Sequence, residues 1–164
     1  MGITFVNKAS AIEANSKTVV VSKPTNTTEN DVMIAVISVE ATTPTITPPT
    51  DWHLVYGGSI GGVGGLYQSV FYKAEGASEP SNYTFETESK YELIGVICSF
   101  RGMDTETPVG NYAQSTGTPG STDTNAVSPT ITTQRTNNWA MAIAGSRYGT
   151  TWTPPASSDT SEMQ

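Results

Sequence analysis

Acid–base or nucleophilic chemistry has few residues to draw on in this chain. It holds one histidine, His53, just after Trp52, and one cysteine, Cys98, within LIGVICSF. A zinc centre needs several converging His, Cys or carboxylate ligands, and His53 has no second His or Cys near it to start one. A Ser-His-Asp triad would need a carboxylate behind His53 and a serine in front of it. Ser59, in GGSIGG, is set aside as such a nucleophile, because it is read as lacking the G-x-S-x-G pattern of a nucleophile elbow. Paired carboxylates could serve a glycosidase, and Glu75, Glu79, Glu86, Glu88 and Glu92 crowd one region. Glu86 and Glu88 would share a strand face about 7 Å apart, for which a solvated face is the simpler reading. Asp104, Glu106 and Asp123 could offer oxygen ligands to calcium, but they lack the D-x-D-x-D-G spacing. The glycine run in VYGGSIGGVGGLYQ (55–68) has no GK[ST] behind it, so it is not a phosphate loop. The alternating LYQSVFYKA follows it instead, and strand, glycines, strand predicts a β-hairpin. No cofactor is expected and no catalysis.

The composition points the same way. Only 14% of residues are charged, against about 25% in an ordinary domain. Ser and Thr make up roughly a quarter of the chain, above ordinary usage, and β-branched Thr suits pleated, half-exposed surfaces. The net charge of −7, without any Lys/Arg cluster, argues against a nucleic-acid backbone as partner. Cys98 cannot form an internal disulfide and reads as a small buried hydrophobe. Asn26-Thr27-Thr28 and Asn82-Tyr83-Thr84 match the glycosylation pattern, which is frequent by chance in a Thr-rich chain. Met1 leads into GITFVNKAS without the features of a signal peptide. No apolar run reaches the ~18 residues of a membrane helix, so a soluble protein made in the cytoplasm, without membrane insertion, is expected.

The elements that must position these residues are strands. ITFVN, KTVVVSK, DVMIAVISVE, WHLVY, LYQSVFYKA, NYTFETE, YELIGVICSFRG, PTITT and WAMAIAGS amount to about nine, separated by turn signals. Val70 and Tyr72 should face one way and Phe71 and Lys73 the other; Tyr83 and Phe85 should oppose Thr84 and Glu86. DVMIAVISV and LIGVICSF, apolar almost throughout, are expected to be central. AIEANSK is allowed one helical turn. The fold class expected is all-β, an antiparallel, jelly-roll-like β-sandwich over 1–155, with a polar tail at 156–164. Asn30 to Pro49 echoes Asn137 to Pro155, as two copies of one supersecondary unit would. The second copy runs into ASSDTSEMQ, read either as a disordered tail or as a domain without its last hairpin, whose open edge would accept a neighbouring subunit. The polar stretch Gly102 to Ser128 is a long loop, functional or disordered.

TPPTDWHLVY (47–56), YKAEGASEPSNYTFE (72–86) and FRGMDTETPVG (100–110), with the opening ITFVNKAS, together resemble a β-sandwich module of bacteriophage virion proteins, especially tail-associated ones, and of bacterial surface proteins. Asp51 stands where that module usually has glycine. The resemblance implies a non-enzymatic virion structural protein, a tail, fibre, baseplate or capsid-decorating subunit. Its partners would be other virion proteins and further copies of itself, and its location the virion. The alternative is a carbohydrate- or host-receptor-binding module, in which Tyr67, Tyr112, Tyr148 and Trp152 stack on a host-surface glycan. The hairpin tip, with Gly61, Gly62, Gly64 and Gly65, completes the candidate contact surface, since glycines there cost the most entropy to order. All four are expected to tolerate alanine without loss of fold.

Overall fold

A computed structural model describes residues 2–60, 65–114, 129–132 and 139–145. Six strands form one antiparallel sheet: β1 (Thr4–Ser22), β2 (Val32–Val39), β3 (Ile46–Thr47), β4 (His53–Ser59), β5 (Tyr67–Ala74) and β6 (Asn82–Arg101). Their order is β1-β6-β2-β5-β4, with β3 paired to β6 off that path. There is no helix among the described residues, and so none long and apolar enough to cross a membrane.

The two apolar runs take the central places, as expected: β2 lies between β6 and β5, and β6 between β1 and β2. Their lack of alternation follows from burial on both faces. On one face, Met33, Ala35, Ile37 and Val39 join Phe71, Leu93 and Ile97 in a single core cluster. On the other, Val32 and Ile34 meet Cys98 and Phe100, packed by Val70, Tyr72, Val96, Met103, Val109 and Met141. The alternation expected in β5 and in the first half of β6 is present: Phe71 and Lys73 are buried, as are Tyr83 and Phe85, while Glu86 is exposed.

The strand count differs from the expected nine. ITFVN and KTVVVSK are the two ends of β1, and NYTFETE and YELIGVICSFRG the two ends of β6. The pairing of β1 with β6 slips in register between Glu13 and Ser16 and again between Ser16 and Thr18. Such bulges bend a ribbon without ending it, and Asn15, at φ 49°, takes the left-handed backbone that Asn tolerates. AIEANSK is therefore bent strand and makes no helical turn. Beyond the bend, Val19, Val21, Tyr83 and Phe85 belong to the same cluster as Met33, Ile37 and Phe71. The ribbon's far end thus lies over the face of the sheet its near end helps to form. The two approach closely at Gly95, where a Cβ would lie 2.6 Å from Val21 Cγ2 and 3.3 Å from Val19 Cγ2. Burial of each such aliphatic or aromatic side chain contributes about 1.5–3 kcal/mol.

Trp52 closes one end of this core, 6% exposed, with its ring edge-on to Tyr83 at 5.2 Å and to Phe85 at 5.4 Å. The described parts of PTITT and WAMAIAGS, 129–132 and 139–145, are neither strand nor helix. They lie against the second face, with Met141 packed on its cluster and the Trp139 ring 6.2 Å from Phe100. The expected tail at 156–164 lies outside the described residues, as does most of the loop up to Ser128.

Candidate functional site

The glycine run is a hairpin tip. Ser59 pairs with Tyr67, and Ile60 N donates to Leu66 O at 2.8 Å. Gly61, Gly62 and Gly64 lie outside the described residues. Gly65 does not behave as the freely replaceable residue expected. Its φ is +52°, and a Cβ there would lie 2.7 Å from the carbonyl of Ala41, so both backbone and space demand glycine. Contrary to the expectation, Gly57-x-Ser59-x-Gly61 does have the letters of a nucleophile elbow, yet the next element after Ser59 is the strand β5, not a helix. His53 is six residues away along β4, about 20 Å at strand rise, so no triad joins them.

Of the expected contact aromatics, Tyr148 and Trp152 lie outside the described residues. Tyr112 is 58% exposed and its ring sits 5.7 Å from Tyr56, a residue the sequence reading did not single out. Burial pushes the Tyr56 phenol up, helped by the Tyr67 and Tyr112 phenols nearby. Segment 139–145 reaches the same neck of the hairpin, where a Cβ at Gly145 would lie 2.7 Å from Ile60 Cδ1.

The strand carrying Tyr56 is an edge. Among the described residues β4 ends the sheet order and pairs only with β5, and its outer row of N–H and C=O groups has no sheet partner among them. Natural edges are guarded by charge, proline or bulges. HLVYGGS contains no Lys, Arg, Asp, Glu or Pro, and its guard is one register shift between Leu54 and Tyr56. Leu54 is 61% exposed. The opposite edge, β1, carries Lys8, Glu13 and Lys17 besides its bulges.

A second constellation lies at the base of the β4–β5 hairpin. Lys73, on the inward face of β5, is 7% exposed, and its Nζ lies 3.2 Å from Glu79 and 3.6 Å from Asp51. Glu79 also accepts from Gly76 N and from Tyr83 Oη, each at 3.0 Å. Burial opposes ionisation of Glu79, but the Gly76 N–H, the Tyr83 hydroxyl and Lys73 outweigh it and hold the carboxyl below its ordinary range. In return, burial and Glu79 push the Tyr83 phenol far up. Behind them Lys23 pairs with buried Glu75 at 2.6 Å, whose second oxygen, Oε2, has no hydrogen-bond partner among the described residues. A cavity of about 320 Å³ opens over Lys73, Glu79 and Tyr83, rimmed by Pro49, Thr50, Asp51, Ser78, Pro80 and Asn82. With three donors already on it, Glu79 is an anchored acceptor and a poor general base.

The remaining candidates are dispersed. Glu86 and Glu88 are exposed; Glu88 accepts from Thr45 N and Tyr91 Oη, and Glu92 from Asn15 N. Asp104 accepts from Glu106 N, Thr107 N and the Thr107 hydroxyl, closing its own turn, and Asp123 lies outside the described residues. No group of three or more metal-ligating side chains occurs among the described residues. His53 is exposed, its ring 5.1 Å from Tyr72. No family model, curated protein or solved structure matches the chain.

Proposed function

We propose that this chain is a non-enzymatic structural protein of a bacteriophage virion, a tail, fibre, baseplate or capsid-decorating subunit, and that it acts by assembling with copies of itself and with other virion proteins. Its sheet, in this reading, closes into a jelly-roll-like antiparallel sandwich, the bent β1–β6 ribbon belonging to both layers. The observation that carries the assembly role is β4, an edge among the described residues, free of charge and proline, guarded by one bulge and exposing Leu54. An edge of that kind invites strand addition by a neighbour. The resemblance to virion modules names the particle, and Asp51 supports it: at φ 65° it adopts the left-handed backbone favoured by glycine, the residue that module usually carries there.

Light scattering across a concentration series tests the reading. The protein should form a discrete oligomer, and Leu54→Lys should return it to monomer with its β-sheet circular dichroism intact. A chain that stays monomeric at every concentration and does not bind virion particles would refute assembly.

A further inference from the structure

We propose that the cavity at the base of the β4–β5 hairpin is a binding site for a neutral saccharide. The inference is independent of assembly, since it rests on side chains lining the cavity and not on the backbone edge of β4, whose Leu54 lies three residues beyond Asp51.

Charge selects the ligand class. The walls hold one ammonium, Lys73, and two carboxylates, Glu79 and Asp51, and Lys23 is engaged with Glu75. An anion would meet a net negative wall, and a cation would have to sit beside Lys73. A neutral polyol meets neither obstacle. Its hydroxyls both donate and accept, matching the carboxylate of Asp51, which is 74% exposed, the ammonium of Lys73, the hydroxyls of Ser78 and Thr50 and the exposed amide of Asn82, which also bonds the Ser22 and Ser81 hydroxyls. Pro49 and Pro80 supply apolar walls for the C–H face of a sugar ring. The volume of about 320 Å³ lies at the small end of the ~300–1,000 Å³ range of ligand sites, which suits one sugar residue or the end of a longer glycan. The floor is set beforehand: the side chains of Lys73, Glu79 and Tyr83 are covered, and Glu79 bonds both of the others, so little ordering opposes binding.

Two-dimensional NMR titration of the intact protein with glucose, galactose, mannose and N-acetylglucosamine, and with glucuronate and glucosamine as charged counterparts, tests this. At least one neutral sugar should give saturable shifts centred on residues 49–51 and 78–83. Asp51→Asn, which keeps a residue tolerant of positive φ, and Asn82→Ala should each weaken that binding about tenfold while leaving spectrum dispersion and oligomeric state unchanged. Absence of saturable shifts with every neutral sugar would overturn the proposal. So would binding that both variants leave intact, or a charged sugar binding more tightly than its neutral counterpart. Because oligomeric state is read in the same samples, loss of this site and loss of assembly are told apart.

Discussion

At the scale of single residues, the backbone decides more than the side chains. Gly65 and Gly110 are both loop glycines, but Gly65 has φ +52° and the Ala41 carbonyl against it, whereas a Cβ at Gly110 meets none of the described residues within 4 Å. Gly65→Ala should lower unfolding free energy by about 2 kcal/mol in urea titration, and Gly110→Ala should change it by less than about 0.5 kcal/mol. Asp31 is governed by charge. It is 2% exposed and receives Arg101 through Nε at 2.8 Å and Nη2 at 2.7 Å. Burial works against its ionised form, yet Arg101 and the Thr28 donors prevail, so the carboxyl titrates below its ordinary value of 3.8. The folded chain therefore binds this proton less readily than the unfolded chain does. The stabilisation is complete above the ordinary carboxylate range and is lost as pH falls through it toward the lower folded value. Asp31→Asn should cost about 2 kcal/mol at pH 7, and the gap from wild type should narrow in unfolding curves taken below pH 3.8.

At the scale of elements, the bend in the β1–β6 ribbon is the feature to probe. A methyl group at Gly95 would meet Val21 Cγ2 at 2.6 Å, so Gly95→Ala should destabilise by about 1–3 kcal/mol, and Val21→Ala should restore part of that loss in a double-mutant cycle. No interaction between the two substitutions would mean that the far end does not lie over the near one. The same elements show what a sequence can carry. Period-two alternation is local, so the faces of Phe71, Tyr83 and Phe85 and the central places of β2 and β6 could be read directly. The bend could not, because a left-handed Asn15 between slipped registers breaks the apolar pattern just as a strand end does. Two-residue β3 has no period to show. The hairpin was legible from its glycines, but Tyr56 gains its meaning only from the Tyr112 ring placed beside it by a distant segment. Glu79 stood among the suspect carboxylates; Lys73, its partner, read as an ordinary strand residue, since long-range pairing of charges leaves no periodic trace.

At the scale of the whole molecule, Cys98 reports on integrity. It sits in central strand β6, 5% exposed, and burial pushes its thiol up to about 11, with only a small opposing pull from Lys8. Because the thiolate is the reactive form, alkylation at pH 8 should be slower by ~1,000-fold or more than in denaturant, and its rate should track global unfolding. Faster labelling would reveal local opening of the sheet's centre. β6 has one further consequence, which concerns the order of synthesis. β1, β2 and β3 all pair with it, yet it is the last of the described strands to be made. Until the second half of β6 has left the ribosome, the first half of β1 lacks its strand partner and VMIAVISV keeps an apolar edge unpaired, the kind of segment that seeks other chains. The nascent chain must therefore wait for its hub, and the hazard of misassembly is concentrated in that interval.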